Sequence, residues 1–381
     1  MNAALHPTIL IMAGGTGGHV FPALTIAQEL RAQGSRVEWL GTRAGIEARV
    51  LANTGIPLHF ISVAGLRGKS LVRKLLAPFT LLYAVVQALL LIRRVNPDCV
   101  LGMGGYVTGP GGVAARLLGK TLLIHEQNAV AGLANAMLFP LAQKALEGFS
   151  GAFVRKLDGS MLMRDRVAAE QKITWVGNPV RAEILAIATP EQRLSGRHGP
   201  VRLLVVGGSL GAAVFNELVP AALAGLNEAE RPQVRHQCGR SKLDATLQAY
   251  RNAGLATTDA LQVSEFIDDM AAAYSWADVV LCRAGASTLA EIAAIGLPAI
   301  LVPYPFAADD HQRANAEQLA NTGAANVLPQ AGLTAAVLRD VLRRSVADRQ
   351  RLLQQAAAAL RAGKRDAGAA VARLCLEACH G

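Results

Sequence analysis

Aromatic side chains are scarce in this chain: phenylalanine, tryptophan and tyrosine make up only 4% of 381 residues. Proteins that stack nucleic-acid bases depend on such platforms, so a nucleic-acid binder is disfavoured, and no arginine-rich tail compensates. Charge is also sparse at 17%, and acid is the scarcer sign, with 28 Asp and Glu against 38 Lys and Arg. The resulting net charge of +10 points to an anionic partner: nucleic acid, an acidic membrane or a phosphorylated substrate. Cysteines number five, an odd count: Cys99, Cys238, Cys282, Cys375 and Cys379. They sit mostly in apolar surroundings and read as buried free thiols in a reducing compartment. Cys375 and Cys379 stand one helical turn apart, but two thiols alone do not make a structural zinc site. The first residues show no basic stretch, long apolar run or cleavage site, so a signal peptide is not expected.

Hydrophobic residues are abundant, at 52%. The length suits two domains of ordinary size better than one core. Two apolar runs each lead into a glycine turn. Ile9–Ala13 precedes Gly14-Gly15-Thr16-Gly17-Gly18-His19, and Val201–Val206 precedes Gly207-Gly208-Ser209-Leu210-Gly211. A buried strand that stops at such a turn and feeds a helix presents bare N–H groups at the helix start, a natural anion site. Two such units imply two similar α/β halves with a ligand held between them.

Strand–helix alternation runs through both halves. Strands are expected at 8–12, 37–40, 58–63, 99–103 and 121–125, then at 202–206, 234–238, 261–264, 278–282 and 299–302. Helices are expected at 22–32, 46–54 and 288–295, with an alanine-rich helical tail from Leu333 to Cys379 broken near Gly363. Alternation of this kind implies parallel sheets covered by helices. The halves join near Trp175–Arg181, where Gly177, Asn178 and Pro179 punctuate an apolar run. The expected organisation is residues 1–177, residues 178–362, and a last helix over 363–381 that folds back onto the first domain.

Three motif assignments fail. A dinucleotide fingerprint starting at Gly15 and Gly17 needs glycine where Val20 stands, which disfavours a dehydrogenase. Gly68-Lys69-Ser70 lacks the earlier glycine of a phosphate-binding loop, because that position is Val63. No carboxylate-x-carboxylate pair is available for a metal-bound nucleotide sugar. Asp268-Asp269 and Asp309-Asp310 are adjacent pairs and read as helix caps. Neither an obligatory metal nor a cofactor is expected.

Other segments carry chemistry. In Asp278–Glu291 a strand meets the small-residue turn Ala284-Gly285-Ala286, and Ser287 and Thr288 open a helix. Their hydroxyls suit a diphosphate, and Glu291 suits ribose hydroxyls; a capping box is the equal alternative. Gln312, after Asp309-Asp310-His311, suits sugar hydroxyls or a solvated helix start. His19, directly after the first glycine turn, suits a general base; a structural role at the turn is the alternative. His125-Glu126-Gln127-Asn128 closes another parallel strand, and ligands bind beyond such strand ends. His125, Glu126 and Asn128 are therefore expected near His19. Residues 75–92 are nearly all apolar and flanked by Arg67, Lys69, Arg73, Lys74, Arg93 and Arg94. The segment reads as a peripheral membrane face, over a buried core helix or a spanning one. Basic residues near an anionic leaflet contribute about 1 kcal/mol each.

Several motifs in order resemble one family: Gly14–Ala23, Gly104-Gly105-Tyr106, His125–Asn128, Val176–Arg181, Gly207-Gly208-Ser209 and Glu265–Met270. Over nearly its whole length the chain is similar to the MurG family, the peptidoglycan N-acetylglucosaminyltransferases that make lipid II. The resemblance implies a GT-B fold, two Rossmann-like parallel-sheet domains facing a central cleft. It implies inverting, metal-independent transfer from UDP-GlcNAc to the MurNAc 4-hydroxyl of undecaprenyl-pyrophosphoryl-MurNAc-pentapeptide (lipid I) at the cytoplasmic face of the inner membrane, with cell-wall synthesis proteins as further partners.

Matching positions imply donor contacts at Thr16, Gly17, Gly18, Asn128, Arg181, Ser209, Ile267, Ala286, Ser287, Thr288, Leu289, Ala290, Glu291 and Gln312. Ile267 would meet uracil through its backbone, and Arg181 would help hold the leaving diphosphate. His19 is the expected base and Glu126 the second choice. Gly104, Gly105, Tyr106 and His125 fall on the acceptor side, and Leu75, Phe79, Leu82, Tyr83, Arg73 and Lys74 on a membrane patch. The sequence departs from the family pattern where Leu210 replaces a glutamine, where Ala136 replaces an arginine, and where the apolar segment lacks tryptophan. A UDP-GlcNAc 2-epimerase shares the fold and stands as the alternative enzyme; a non-catalytic basic binder of nucleic acid is the third reading.

Overall fold

The computed structural model describes residues 6–63, 77–160, 166–208 and 211–380. Arg67, Lys69, Arg73, Lys74, Leu75, Ser209 and Leu210 lie outside them. The chain divides into two units, residues 1–180 with 365–381, and residues 181–364.

The first unit is a seven-stranded parallel sheet. Its strands are β1 (Thr8–Met12), β2 (Arg36–Gly41), β3 (Leu58–Phe60), β4 (Cys99–Gly102), β5 (Thr121–Glu126), β6 (Lys144–Glu147) and β7 (Ile173–Trp175). They lie in the order β3-β2-β1-β4-β5-β6-β7. Along β1 the side chains alternate between two cores: Ile9 and Ile11 with Trp39, Leu101 and Leu123 on one face, Leu10 and Met12 with Leu40, Val100 and Ile124 on the other. Both faces are covered, as a parallel sheet requires. The helix Ala367–His380 packs on the helix Gly17–Ala32 and adds Val371, Ala372 and Cys375 to the first of these cores.

The second unit holds β8 (Arg202–Val206), β9 (Gln233–Gln237), β10 (Leu261–Ser264), β11 (Val279–Cys282), β12 (Ala299–Leu301) and β13 (Ala325–Val327). All are parallel, in the order β10-β9-β8-β11-β12-β13. In each sheet the strand order reverses beside the first strand of the unit, between β1 and β4 and between β8 and β11. Such a switch point opens a crevice at the strands' carboxyl ends.

Several local expectations change. The helix Gly17–Ala32 begins five residues before the expected start at Pro22, which lies inside it. Proline lacks an N–H, so the Gly18 carbonyl is left without its usual partner one turn on. The segment expected as a helix over 46–54 is one turn only, Glu47–Val50. The C-terminal tail forms three helices, Ala335–Ala347, Arg349–Ala362 and Ala367–His380. The extra break falls at Asp348, whose carboxylate caps the next helix at the Arg351 amide.

The apolar segment is the helix Ala77–Val95, with Pro78 in its first turn. Only Ala84, Ala88 and Ile92 are buried, one residue per turn on a single stripe. Phe79 is 71% exposed, and Leu82, Tyr83 and Leu90 are also exposed. A wholly buried core helix is thereby excluded.

Candidate active site

In the first unit β1 delivers the chain to Gly14–Gly18, and β4, its neighbour across the switch point, delivers Gly104-Gly105-Tyr106. The two turns touch. A Cβ on Gly105 would fall 2.1 Å from the Gly14 carbonyl oxygen, and one on Gly104 would fall 2.9 Å from the His19 ring. Both have positive φ, +93° at Gly104 and +83° at Gly105, so glycine serves conformation and close approach together. Their side of the turn supports His19. Tyr106 is exposed beside Gly15.

The first glycine turn is only partly open to an anion. Glu47 is completely buried, and its carboxylate accepts from the Gly15 amide at 3.2 Å and from the Thr42 amide at 2.7 Å. The Gly15 N–H, expected to be bare, is therefore taken by a carboxylate. Gly17 and Gly18 stand at the helix start with Thr16 as N-cap, whose side chain makes no capping bond. Glu47 was not singled out in the sequence, because no local pattern links a residue after β2 to the turn after β1.

His19 Nδ1 lies 2.8 Å from Gln127 Oε1. Its Nε2 has no hydrogen-bond partner among the described residues. Gln127 is buried, and its Nε2 lies 3.0 Å from His125 Nδ1 and 3.2 Å from the His125 carbonyl. His125 Nε2 in turn lies 3.0 Å from the Gly177 carbonyl. Asn178 donates to the Gln127 carbonyl at 2.9 Å and clamps this turn. His125 is completely buried, and that burial pushes its imidazole down to about 4. It is neutral at pH 7 and touches no solvent, so its side chain supports the turn instead of meeting an acceptor.

Glu126 is also enclosed. Its Oε1 accepts from the Asn128 amide at 2.9 Å and the Asn128 side chain at 3.2 Å. Its Oε2 accepts from the Gly132 amide at 3.0 Å and the Asn135 side chain at 2.9 Å. These donors occupy both oxygens, whereas His19 keeps one ring nitrogen without a partner among the described residues.

In the second unit β11 runs into Arg283-Ala284-Gly285, and a helix opens at Ala286. Gly285 is its N-cap, without a side-chain bond. The capping box thus does not form: the Ser287 hydroxyl is buried with no partner among the described residues, and Glu291 turns elsewhere. Arg181 reaches Glu291 Oε1 through Nε at 3.1 Å and Nη2 at 2.9 Å, and the Tyr274 hydroxyl donates to Oε2 at 3.1 Å. Burial raises the Glu291 carboxyl above its ordinary value, opposed by Arg181. Leu289 and Ala286 belong to the core face of this helix, so only backbone there is available to a ligand; Ala290 is partly exposed. Gln312 Oε1 accepts from the Tyr304 amide at 3.0 Å, which leaves its NH2 without a partner among the described residues. Ile267 is half-buried just beyond β10. Asp269 caps the helix Met270–Trp276 at the Ala272 amide, 2.8 Å away. Asp310 instead pairs with Arg313 and makes no cap.

Two wound parallel sheets, each with a small-residue turn and a helix start at its switch point, are the architecture of the GT-B fold. Residues 9–147 match the glycosyltransferase family 28 N-terminal domain and residues 202–371 its C-terminal domain; the chain belongs to glycosyltransferase family 28. It is 50% identical over 373 residues to the UDP-N-acetylglucosamine--N-acetylmuramyl-(pentapeptide) pyrophosphoryl-undecaprenol N-acetylglucosamine transferase of Marinobacter nauticus, covering 98% of each chain. It is 52% identical over 374 residues to the transferase of the same name from Acidithiobacillus ferrooxidans, again covering 98% of each. The crystal structure of Acinetobacter baumannii MurG matches with a TM-score of 0.81 at 41% identity, over 97% of this chain and 99% of that one.

Proposed function

We propose that the protein transfers N-acetylglucosamine from UDP-GlcNAc to the 4-hydroxyl of the muramyl sugar of an undecaprenyl-pyrophosphoryl-linked acceptor, in one inverting displacement. The observation that carries the reading is the state of His19: at the switch point of the first sheet, held at Nδ1 and open at Nε2. Nε2 takes the proton as the acceptor oxygen attacks the anomeric carbon, and the bond from that carbon to the diphosphate oxygen breaks as UDP leaves. Such a base contributes about a hundredfold to ten-thousandfold.

Leaving-group charge is met by N–H and O–H donors. The amides opening the Ala286 helix and the partnerless Ser287 hydroxyl, with Thr288, suit a diphosphate. Glu291 suits the ribose, sharing its oxygens with Arg181 and Tyr274. The free NH2 of Gln312 suits a sugar hydroxyl and the Ile267 backbone the uracil. Thr16, Gly17 and Gly18 precede His19 in the same turn, Asn128 follows Gln127, which bonds His19, and all four suit the donor sugar. The exposed apolar residues of the Ala77–Val95 helix, Phe79, Leu82 and Tyr83, suit the acyl boundary of an anionic leaflet, with Arg93 and Arg94 in its last turn.

The test is transfer of labelled GlcNAc to a short-chain lipid I analogue. Product that appears only with acceptor supports the reading. A new sugar nucleotide formed from UDP-GlcNAc alone would identify an epimerase instead, a reading that relatives near half identity do not favour.

A further inference from the structure

We infer that Gln127 is a positioning residue that holds His19 in its Nδ1–H tautomer through a one-way relay anchored on the Gly177 carbonyl. The inference rests on the reading of His19 as the base, but its test needs no substrate.

The direction of every hydrogen bond follows from the last acceptor. A carbonyl oxygen only accepts, so His125 Nε2, 3.0 Å from Gly177 O, carries the hydrogen. His125 is neutral in its buried site, so its Nδ1 is a lone pair and must receive. Gln127 therefore presents its NH2 there, and the second hydrogen of the same nitrogen goes to the His125 carbonyl. With both amide hydrogens committed, Gln127 Oε1 faces His19 Nδ1 at 2.8 Å as an acceptor. His19 carries its hydrogen on Nδ1, and the lone pair falls on Nε2. The reversed relay would set Gln127 Oε1 against the His125 carbonyl and His125 Nε2 against Gly177 O, two acceptor–acceptor contacts in a buried site. Asn178 and Asn135 fix the backbone of this turn, by donating to the Gln127 and His125 carbonyls. A free neutral imidazole prefers its hydrogen on Nε2, which would block a base acting through that atom. The relay reverses that preference before substrate arrives.

Long-range nitrogen–proton NMR of the full-length protein labelled at histidine, at alkaline pH, reads the tautomer directly. His19 is assigned by comparison with His19→Asn. The expected spectrum has the His19 hydrogen on Nδ1 and the His125 hydrogen on Nε2. In Gln127→Met, which keeps the length and loses the acceptor, His19 moves toward Nε2–H. Turnover then falls about tenfold or more with the KM for UDP-GlcNAc unchanged. A wild-type His19 found as Nε2–H overturns the inference without any variant, so a Gln127→Met protein that fails to fold does not shelter it. A Gln127→Met protein that folds and keeps the wild-type tautomer overturns it as well. A wild-type protein with Nδ1–H but no transfer would refute the proposed reaction and leave the relay standing.

Discussion

The Arg181 guanidinium grips one oxygen of Glu291 with two nitrogens, at 2.9 and 3.1 Å, while the Tyr274 hydroxyl holds the other at 3.1 Å. A carboxylate so enclosed is held in one orientation. Arg181→Met leaves Glu291 buried with only Tyr274. We expect a stability loss of about 1–3 kcal/mol and weaker UDP binding. Urea denaturation and calorimetry with UDP check both; unchanged UDP affinity would remove Arg181 and Glu291 from the donor site.

Glu126 makes a contrasting case. With its oxygens taken by two backbone amides and two side-chain amides, it organises the turn after β5. Glu126→Gln swaps one accepting oxygen for a donor facing donors. The expected result is a fall in stability of about 1–3 kcal/mol, with the surviving folded enzyme keeping the pH profile of turnover. Turnover lost at normal stability would make Glu126 the base instead.

At Gly104 a Cβ would press on the His19 ring from 2.9 Å at a φ of +93°. Gly104→Ala should cost about 1–2 kcal/mol in backbone strain and displace the imidazole. Turnover falls while UDP-GlcNAc affinity stays near wild type, as steady-state kinetics and donor titration would register.

Acid should loosen both units. Burial holds His125 at about 4 and His236, which is bound to Tyr250 and Asn216, at about 3. Both values lie below the unfolded value near 6.5. Between these limits the unfolded chain binds protons that the native chain does not, so stability rises with pH and is lost as pH falls from about 6.5 toward 4. From pH 7.5 to pH 5 each histidine contributes a loss of about 2 kcal/mol. Denaturation at the two pH values measures this, and His236→Gln should remove the share of the second unit.

The helix Ala77–Val95 supplies a membrane test. Phe79 and Leu82 are 71% and 62% exposed, so Phe79→Glu with Leu82→Glu should leave stability within about 0.5 kcal/mol. Burying such a side chain in lipid stabilises by about 1.5–3 kcal/mol. Vesicle co-sedimentation should therefore show at least about a tenfold loss of affinity for anionic vesicles.

How much of this was legible in the sequence depends on how local the cause is. β1, β8 and β10 run over the expected residues because each is a compact run ended by a turn or a polar break. β6, β7 and β13 were not foreseen. β6 is Lys-Ala-Leu-Glu, a run of good helix formers, and β7 and β13 are three residues each; neighbouring strands hold all three in place. His19 and Ser287 stand out because each follows a glycine-bearing turn next to a strand. Glu47, Gln127 and Gly177 matter through contacts made across dozens of residues, and no spacing rule signals them. Burial has the same source. Leu289 and His125 sit within functional motifs, but helix phase and strand direction turn them into the core.

The most direct measurement is the rate of acceptor-dependent UDP release from UDP-GlcNAc by wild type and by folded His19→Asn, with a soluble lipid I analogue at saturation. The expected result is release that requires acceptor and falls by at least about a hundredfold in the variant. Release within a few-fold of wild type would contradict His19 as the proton acceptor.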